Sequence, residues 1–332
     1  MEERTVVLRR QFCGAAALAG ATLARPALGQ AWPERPVRMI VPFPPAGAAD
    51  IVGRMLAAHF QQAFGRPFII ENRPGAGSSI GVDALAKSAP DGYAIGLINI
   101  ASNAILPAVR RQPLAYEPRR DFAPIANLAV TPCLLLVNPR KLPQVTSVAA
   151  LVAHAKAHPE KLDFASSGVG SSLHLGMELF MQKADIRMTH VPFTGGGPAL
   201  QGLLSGTVDL SIDVAATTGQ LIREGRLRAL ATTMPARMAS YPELPTLAET
   251  YPGTELAPWH GLAAPAGTPT PVLERLAAES RAFLALPETQ ERYRQQSLDA
   301  APQTEPAAFA AFMREELDRF RDLAQAARIT VD

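Results

Sequence analysis

Glycine and serine alternate through Ala165-Ser166-Ser167-Gly168-Val169-Gly170-Ser171-Ser172-Leu173-His174-Leu175-Gly176. The stretch follows an apolar run ending at Phe164 and leads into helical periodicity over 173–184. Glycines let a backbone approach a ligand closely, serines supply hydroxyls and caps, and a helix start leaves N–H groups unpaired. Together these residue types make an anion seat. A second cassette, Gly75-Ala76-Gly77-Ser78-Ser79-Ile80-Gly81, also precedes a helical pattern.

Neither cassette carries a nucleotide fingerprint. The third glycine of G-x-G-x-x-G is Ile80 in the first cassette and Leu173 in the second. Gly77-Ser78-Ser79-Ile80-Gly81 formally matches the G-x-S-x-G nucleophile elbow, which needs a strand running straight into its first glycine. Asn72-Arg73-Pro74 intervenes, so a secreted serine hydrolase using Ser79 is the weaker alternative and a helix-capping or ligand-binding serine pair the better reading. His154 and His158 sit four apart on one helix with no third ligand, and Lys156 and Glu160 mark that face as solvated. No metal and no cofactor are expected. His174, in the first turn after the main cassette, is either a ligand donor or a partly buried helix-start histidine. Asp50 reads as a helix N-cap, and Asp213 either recognises a ligand group or caps the next segment.

The elements that must position these residues alternate between strand and helix. Val37 to Val41, Phe68 to Ile70 and Tyr93 to Ile100 read as strands, with helices from Asp50 and from Ile80 between them. The pattern repeats from Leu162 to Ala231, which implies mainly parallel sheets with flanking helices. At 332 residues the chain exceeds one core and predicts two lobes. Phe122 to Val137, two apolar runs split by Pro132, reads as the crossover, and Leu262-Ala263-Ala264 as the return. The expected division is 30–130 with 260–332 as lobe 1, and 131–259 as lobe 2.

Residues 1–29 read as a cleaved export signal: Arg9-Arg10-Gln11-Phe12, a short apolar run from Cys13, then small residues ending at Gly29. The paired arginines hint at the twin-arginine route. Its loss removes four arginines and two glutamates and takes the chain from a net +2 to neutral. Neutrality argues against nucleic acid or an anionic membrane surface as the partner. Cys133 would then be the sole thiol, so no internal disulfide can form.

Several ordered motifs carry a resemblance over essentially the whole mature chain. They are Val41-Pro42-Phe43 with Gly47-Ala48-Ala49-Asp50, Glu71-Asn72-Arg73-Pro74-Gly75-Ala76-Gly77, and Ala89-Pro90-Asp91-Gly92-Tyr93. Phe122-Ala123-Pro124-Ile125, His190-Val191-Pro192-Phe193 and Leu262 to Pro269 continue the series. The chain resembles the Bug-type (TctC-like) receptors of tripartite tricarboxylate transporters. The resemblance implies a type II two-lobed periplasmic-binding fold closing on a small organic carboxylate. It implies a soluble periplasmic monomer that meets membrane transporter subunits transiently, with a receptor feeding a sensor kinase as the alternative.

Carried over by resemblance, the ligand residues are Phe43, Ala46, Gly47 and Ala48, opposite Ser167, Gly168, Val169, Gly170, Ser171, Ser172 and His174. Second-tier positions are Ser78, Ala101, Ser102, Asn103, Phe193, Thr194, Gly195, Gly196 and Asp213. Two departures bear on selectivity. Ala46 stands where the family has glycine, and Phe193-Thr194 replaces a tyrosine and a cation. Both favour a ligand smaller or less charged than citrate.

Overall fold

A computed structural model describes residues 32–45, 47–238 and 240–331. The expected export signal and Ala46 lie outside the described residues. From Arg35 onward the chain alternates as expected: β1 (Val37–Val41), α1 (Ala48–Phe64), β2 (Phe68–Asn72), α2 (Ser79–Ala86) and β3 (Ala94–Asn99). A wide π-type turn over Ala101–Ile105 continues into α3 (Leu106–Val109). Then come β4 (Phe122–Val130), β5 (Cys133–Val137), α4 (Val148–Ala157), β6 (Asp163–Ser166), α5 (Ser172–Ala184) and β7 (Thr189–Pro192). Next are α6 (Gly196–Ser205), β8 (Leu210–Val214), α7 (Ala215–Arg223) and β9 (Arg228–Thr232). The chain ends with β10 (Trp259–Pro265), α8 (Thr270–Ala285), α9 (Pro287–Gln295), β11 (Asp299–Ala300) and α10 (Pro306–Ala327).

Two sheets result, ordered β11-β4-β10-β3-β1-β2 and β7-β6-β8-β5-β9. Both are mixed rather than mainly parallel. Helix-linked strands pair in parallel, as β1 does with β2 and β3, and β6 with β7 and β8. The strands that carry the chain between sheets enter from the opposite end, so β10 runs antiparallel to β3 and β4, and β5 to β8 and β9. The three-residue apolar run at 262–264 is the middle of a seven-residue strand, buried throughout. The passage into the second sheet spans only Thr131-Pro132 and is tied to the return passage by Thr131 N–H donating to Pro258 O at 2.7 Å.

Local chemistry explains where the helices near the cassettes begin and end. Gly65, in the left-handed region at φ 67°, ends α1, and the Ser147 hydroxyl caps α4 through Ala150 N–H. Asp50 is not the N-cap of α1; that position is Gly47, and Asp50 lies buried in the first turn. Its carboxylate accepts from Arg54 Nε and Asn72 Nδ2, both at 2.8 Å, and Asn72 Nδ2 also reaches Phe43 O at 3.1 Å. Asp50 thus braces the loop after β1.

Candidate functional site

Three helix starts and the two inter-sheet passages surround one cavity of about 580 Å³. From α1 come Phe43 of the preceding loop, Gly47 and Ala48; from α5, Ser167, Ser172 and Leu173; from α7, Val214, Ala216 and Thr217. Neither Gly47 nor Val214 caps its helix with a side chain, so no N-cap side-chain oxygen occupies the starts of α1 and α7. The π-type turn beginning at Ala101 also lines the cavity but is different: Asn99 Oδ1 accepts from Ala101 N–H at 2.9 Å and Ser102 N–H at 3.2 Å. Among the described lining residues there is no Lys, Arg, Asp or Glu. Positive potential here comes from helix ends, not from cations.

A second cavity of about 610 Å³ adjoins the first through Phe43, Ala101, Ser167 and Ser172. Gly75 to Ser78 line one side of it and Ser167 to Ser172 the other, with Arg110 and Val331 completing the wall. The two cassettes therefore do share a space. Gly168, Val169, Gly170 and Ser171 face this second cavity rather than the first.

Inside the main cassette much of the N–H capacity is already used. Gly168 N–H donates to Ser166 Oγ at 3.1 Å, Ser171 N–H to Gly168 O at 3.1 Å, and Gly170 N–H to His174 Nδ1 at 3.1 Å. Gly170 holds φ 75°, a conformation only glycine adopts cheaply. His174 is 5% exposed, lines neither cavity, and braces the loop through its bond to Gly170. Its ring stacks on His190 at 3.8 Å, with Glu178 3.4 Å from Nε2 and Ser166 Oγ 2.7 Å from His190 Nε2. Burial pushes His190 down to about 4, helped by His174 beside it. Helical side chains lean toward the N-terminus, and that rule applied to His174 would have aimed it at Gly170.

The second-tier residues divide. Ala101 lines both cavities and Ser78 the second, where its hydroxyl exchanges hydrogen bonds with Asn99. Ser102 and Asn103 are buried and bonded to each other at 2.7 Å; Asn103 reaches a different cavity, beside Arg119 and Met313. Phe193, Thr194, Gly195 and Gly196 line neither site cavity. The Phe193 ring packs over Gly202 of α6 instead, where an added Cβ would sit 2.5 Å from its Cζ. The departure at 193–194 therefore does not act at the cavity wall. Ser79 Oγ donates to Ala76 O at 2.8 Å, and α2 follows a 3-10 turn rather than a strand, which is not elbow geometry.

Asp213 lines neither cavity. It is 5% exposed, accepts Val214 N–H at 2.7 Å, and burial raises its pKa to about 6. An acid raised above its unfolded value near 3.8 binds protons preferentially in the native state, so stability falls as pH rises through about 4–6. Asp213→Asn keeps the acceptor and removes the charge. It is expected to stabilise the protein at pH 7.5 by on the order of 2–3 kcal/mol, with the gain gone near pH 4. Urea melts at the two pH values check this.

Motif reading missed Asn99, the α7 start with Val214, Ala216 and Thr217, and a further group, Thr131, Pro258, Trp259, His260 and Gln296. In that last group all but Gln296 lie in or beside the passages between sheets, which read as connections because nothing local marks them as cavity floor.

Residues 52–329 match the model of the tripartite tricarboxylate transporter family receptor. The chain belongs to that family. The receptor is 38% identical to protein BugT of Bordetella pertussis over 76% of this chain and 77% of BugT. Among solved structures it is similar to Rpa4515 of R. palustris with adipate, at 34% identity and TM-score 0.77, covering 90% of this chain and 99% of that one. It is also similar to MatC of Rhodopseudomonas palustris with bound malate, at 31% identity and TM-score 0.74, covering 88% and 99%. The receptor has the two-lobed periplasmic-binding fold, and no described helix is long and apolar enough to cross a membrane.

Proposed function

We propose that this receptor captures a small organic carboxylate in the main cavity by closing one lobe, 30–130 with 260–332, on the other, 131–259. It then hands the ligand to the membrane subunits of a tripartite tricarboxylate-type transporter. It works in the periplasm as a monomer, after loss of residues 1–29, and it binds without catalysing. The observation that carries this reading is a cavity at three helix starts with no charged side chain among its described lining. A carboxylate there is met by backbone N–H groups and by the hydroxyls of Ser167, Ser172 and Thr217, directly or through water. The adipate and malate of the two solved relatives support the ligand class.

A melting screen of carboxylates on the purified protein tests the reading. A true ligand at a hundredfold excess over its dissociation constant stabilises by on the order of 2.7 kcal/mol. Diacids and hydroxy acids are expected to raise the melting temperature and citrate to leave it unchanged. Tight citrate binding would contradict the small-ligand part. If no carboxylate moves the melt, the anion seat is wrong.

A further inference from the structure

Thr131 stands on the passage out of β4 and His260 near the start of β10, and both line the main cavity. Only 9% of His260 and 7% of Thr131 is exposed. Neither is satisfied by the chain: His260 Nδ1 and Thr131 Oγ1 are sealed from solvent and make no hydrogen bond. Buried polar groups in native proteins are nearly always paired, so two orphans at one cavity floor need an explanation. Phe43 packs its ring against His260 edge-on, centroids 5.6 Å apart and planes at 85°, and so fixes the imidazole's orientation. Burial pushes the ring's pKa down to about 4, leaving it neutral at physiological pH. A neutral imidazole carries one N–H and one lone pair. An orphaned buried N–H is the rarer arrangement, so the lone pair belongs on the sealed Nδ1 and the proton on Nε2.

We infer that His260 selects the ligand, its Nε2–H donating to a second oxygen on the bound acid, several bonds away from the anchoring carboxylate. This rests on the carboxylate reading and narrows it to a small acid with a second polar end: a diacid, a hydroxy acid or an oxo acid. A plain alkanoate strips water from the donor and returns no acceptor, whereas a neutral donor serves hydroxyl, carbonyl and carboxylate oxygens alike.

Straight-chain C3–C8 alkanoates compared by calorimetry with their ω-carboxy and ω-hydroxy counterparts test this on wild type, His260→Phe and His260→Gln. Wild type is expected to favour the best bifunctional acid over its matched alkanoate by about 10- to 100-fold. His260→Phe is expected to erase most of that preference while still binding the alkanoate, and His260→Gln, which keeps a donor, to restore part of it. Equal binding of both acids by wild type overturns the inference and leaves the carboxylate reading standing. Binding of no acid at all overturns the reading itself. Nitrogen NMR of the wild-type ring needs no variant: an Nε2–H tautomer that shifts with a bifunctional acid supports the assignment, and an Nδ1–H tautomer or an unmoved resonance overturns it.

Discussion

Gly47→Asp is expected to weaken carboxylate capture by at least about 100-fold while leaving the fold as stable as wild type or slightly more so. The two effects separate because of where Gly47 sits. Its backbone is extended, at φ −81° and ψ 170°, so any residue can adopt it. An added Cβ would meet only Pro44 O, at 3.8 Å. The position is the N-cap of α1 and has no side-chain cap, so aspartate there gains a few tenths of a kcal/mol over glycine. The same carboxylate takes the N–H groups a ligand would use, and it adds a negative charge to a cavity with no described cation to offset it. Like charges in such a setting cost several kcal/mol. Gly47→Asn is the control, since it caps without charge and should weaken binding far less. Calorimetry and a melting curve on each variant read the two effects apart; undiminished binding by Gly47→Asp would remove α1 from the site.

The largest stability effect belongs to Phe309 and its partner Gly261. Phe309 of α10 is fully buried, and its ring meets Trp259 of β10 at 5.5 Å in a T-shaped contact. It lies over Gly261 so closely that a Cβ built on that glycine would be 2.1 Å from Phe309 Cζ. Phe309→Ala is expected to cost about 3–5 kcal/mol by leaving a cavity in the core. Gly261→Ala alone is expected to cost about 1–3 kcal/mol, because the methyl group must push the ring aside. Combined, the two should cost clearly less than the separate effects added together, since the methyl group then enters space the ring has left. Denaturant melts of the three variants measure that coupling, and strict additivity would mean the ring and the strand do not press on one another. The pair also supports the cavity, because Trp259 and His260 flank Gly261 on the strand whose residues form the floor.

Much of this protein could be read along the chain, because the information is local. Apolar runs stopped by Pro42 or ended by Gly65, a cap at Ser147 and helical periodicity after Ser172 each concern neighbours in sequence. Those rules give the strand–helix alternation, the two cassettes and the ordered motifs that mark the family. The resemblance those motifs carry implies Phe43, Gly47, Ala48, Ser167 and Ser172 as site residues, and all five line the main cavity.

What the tertiary structure decided involves partners far apart in sequence. The direction of β10 is set by Asn99 and Val130, each paired with it across more than a hundred residues, and that direction makes the sheets mixed. No local pattern announces that Thr131 and His260 will be buried together with nothing to bond. Phe193 leaves the site because Gly202, on the next helix, has room for its ring. His174 turns to Gly170 because an N–H inside the glycine-rich loop needs an acceptor of its own. Residue types along the chain are enough to expect an anion at the glycine-serine loops. Which N–H groups remain to bind it depends on which ones the fold has already used.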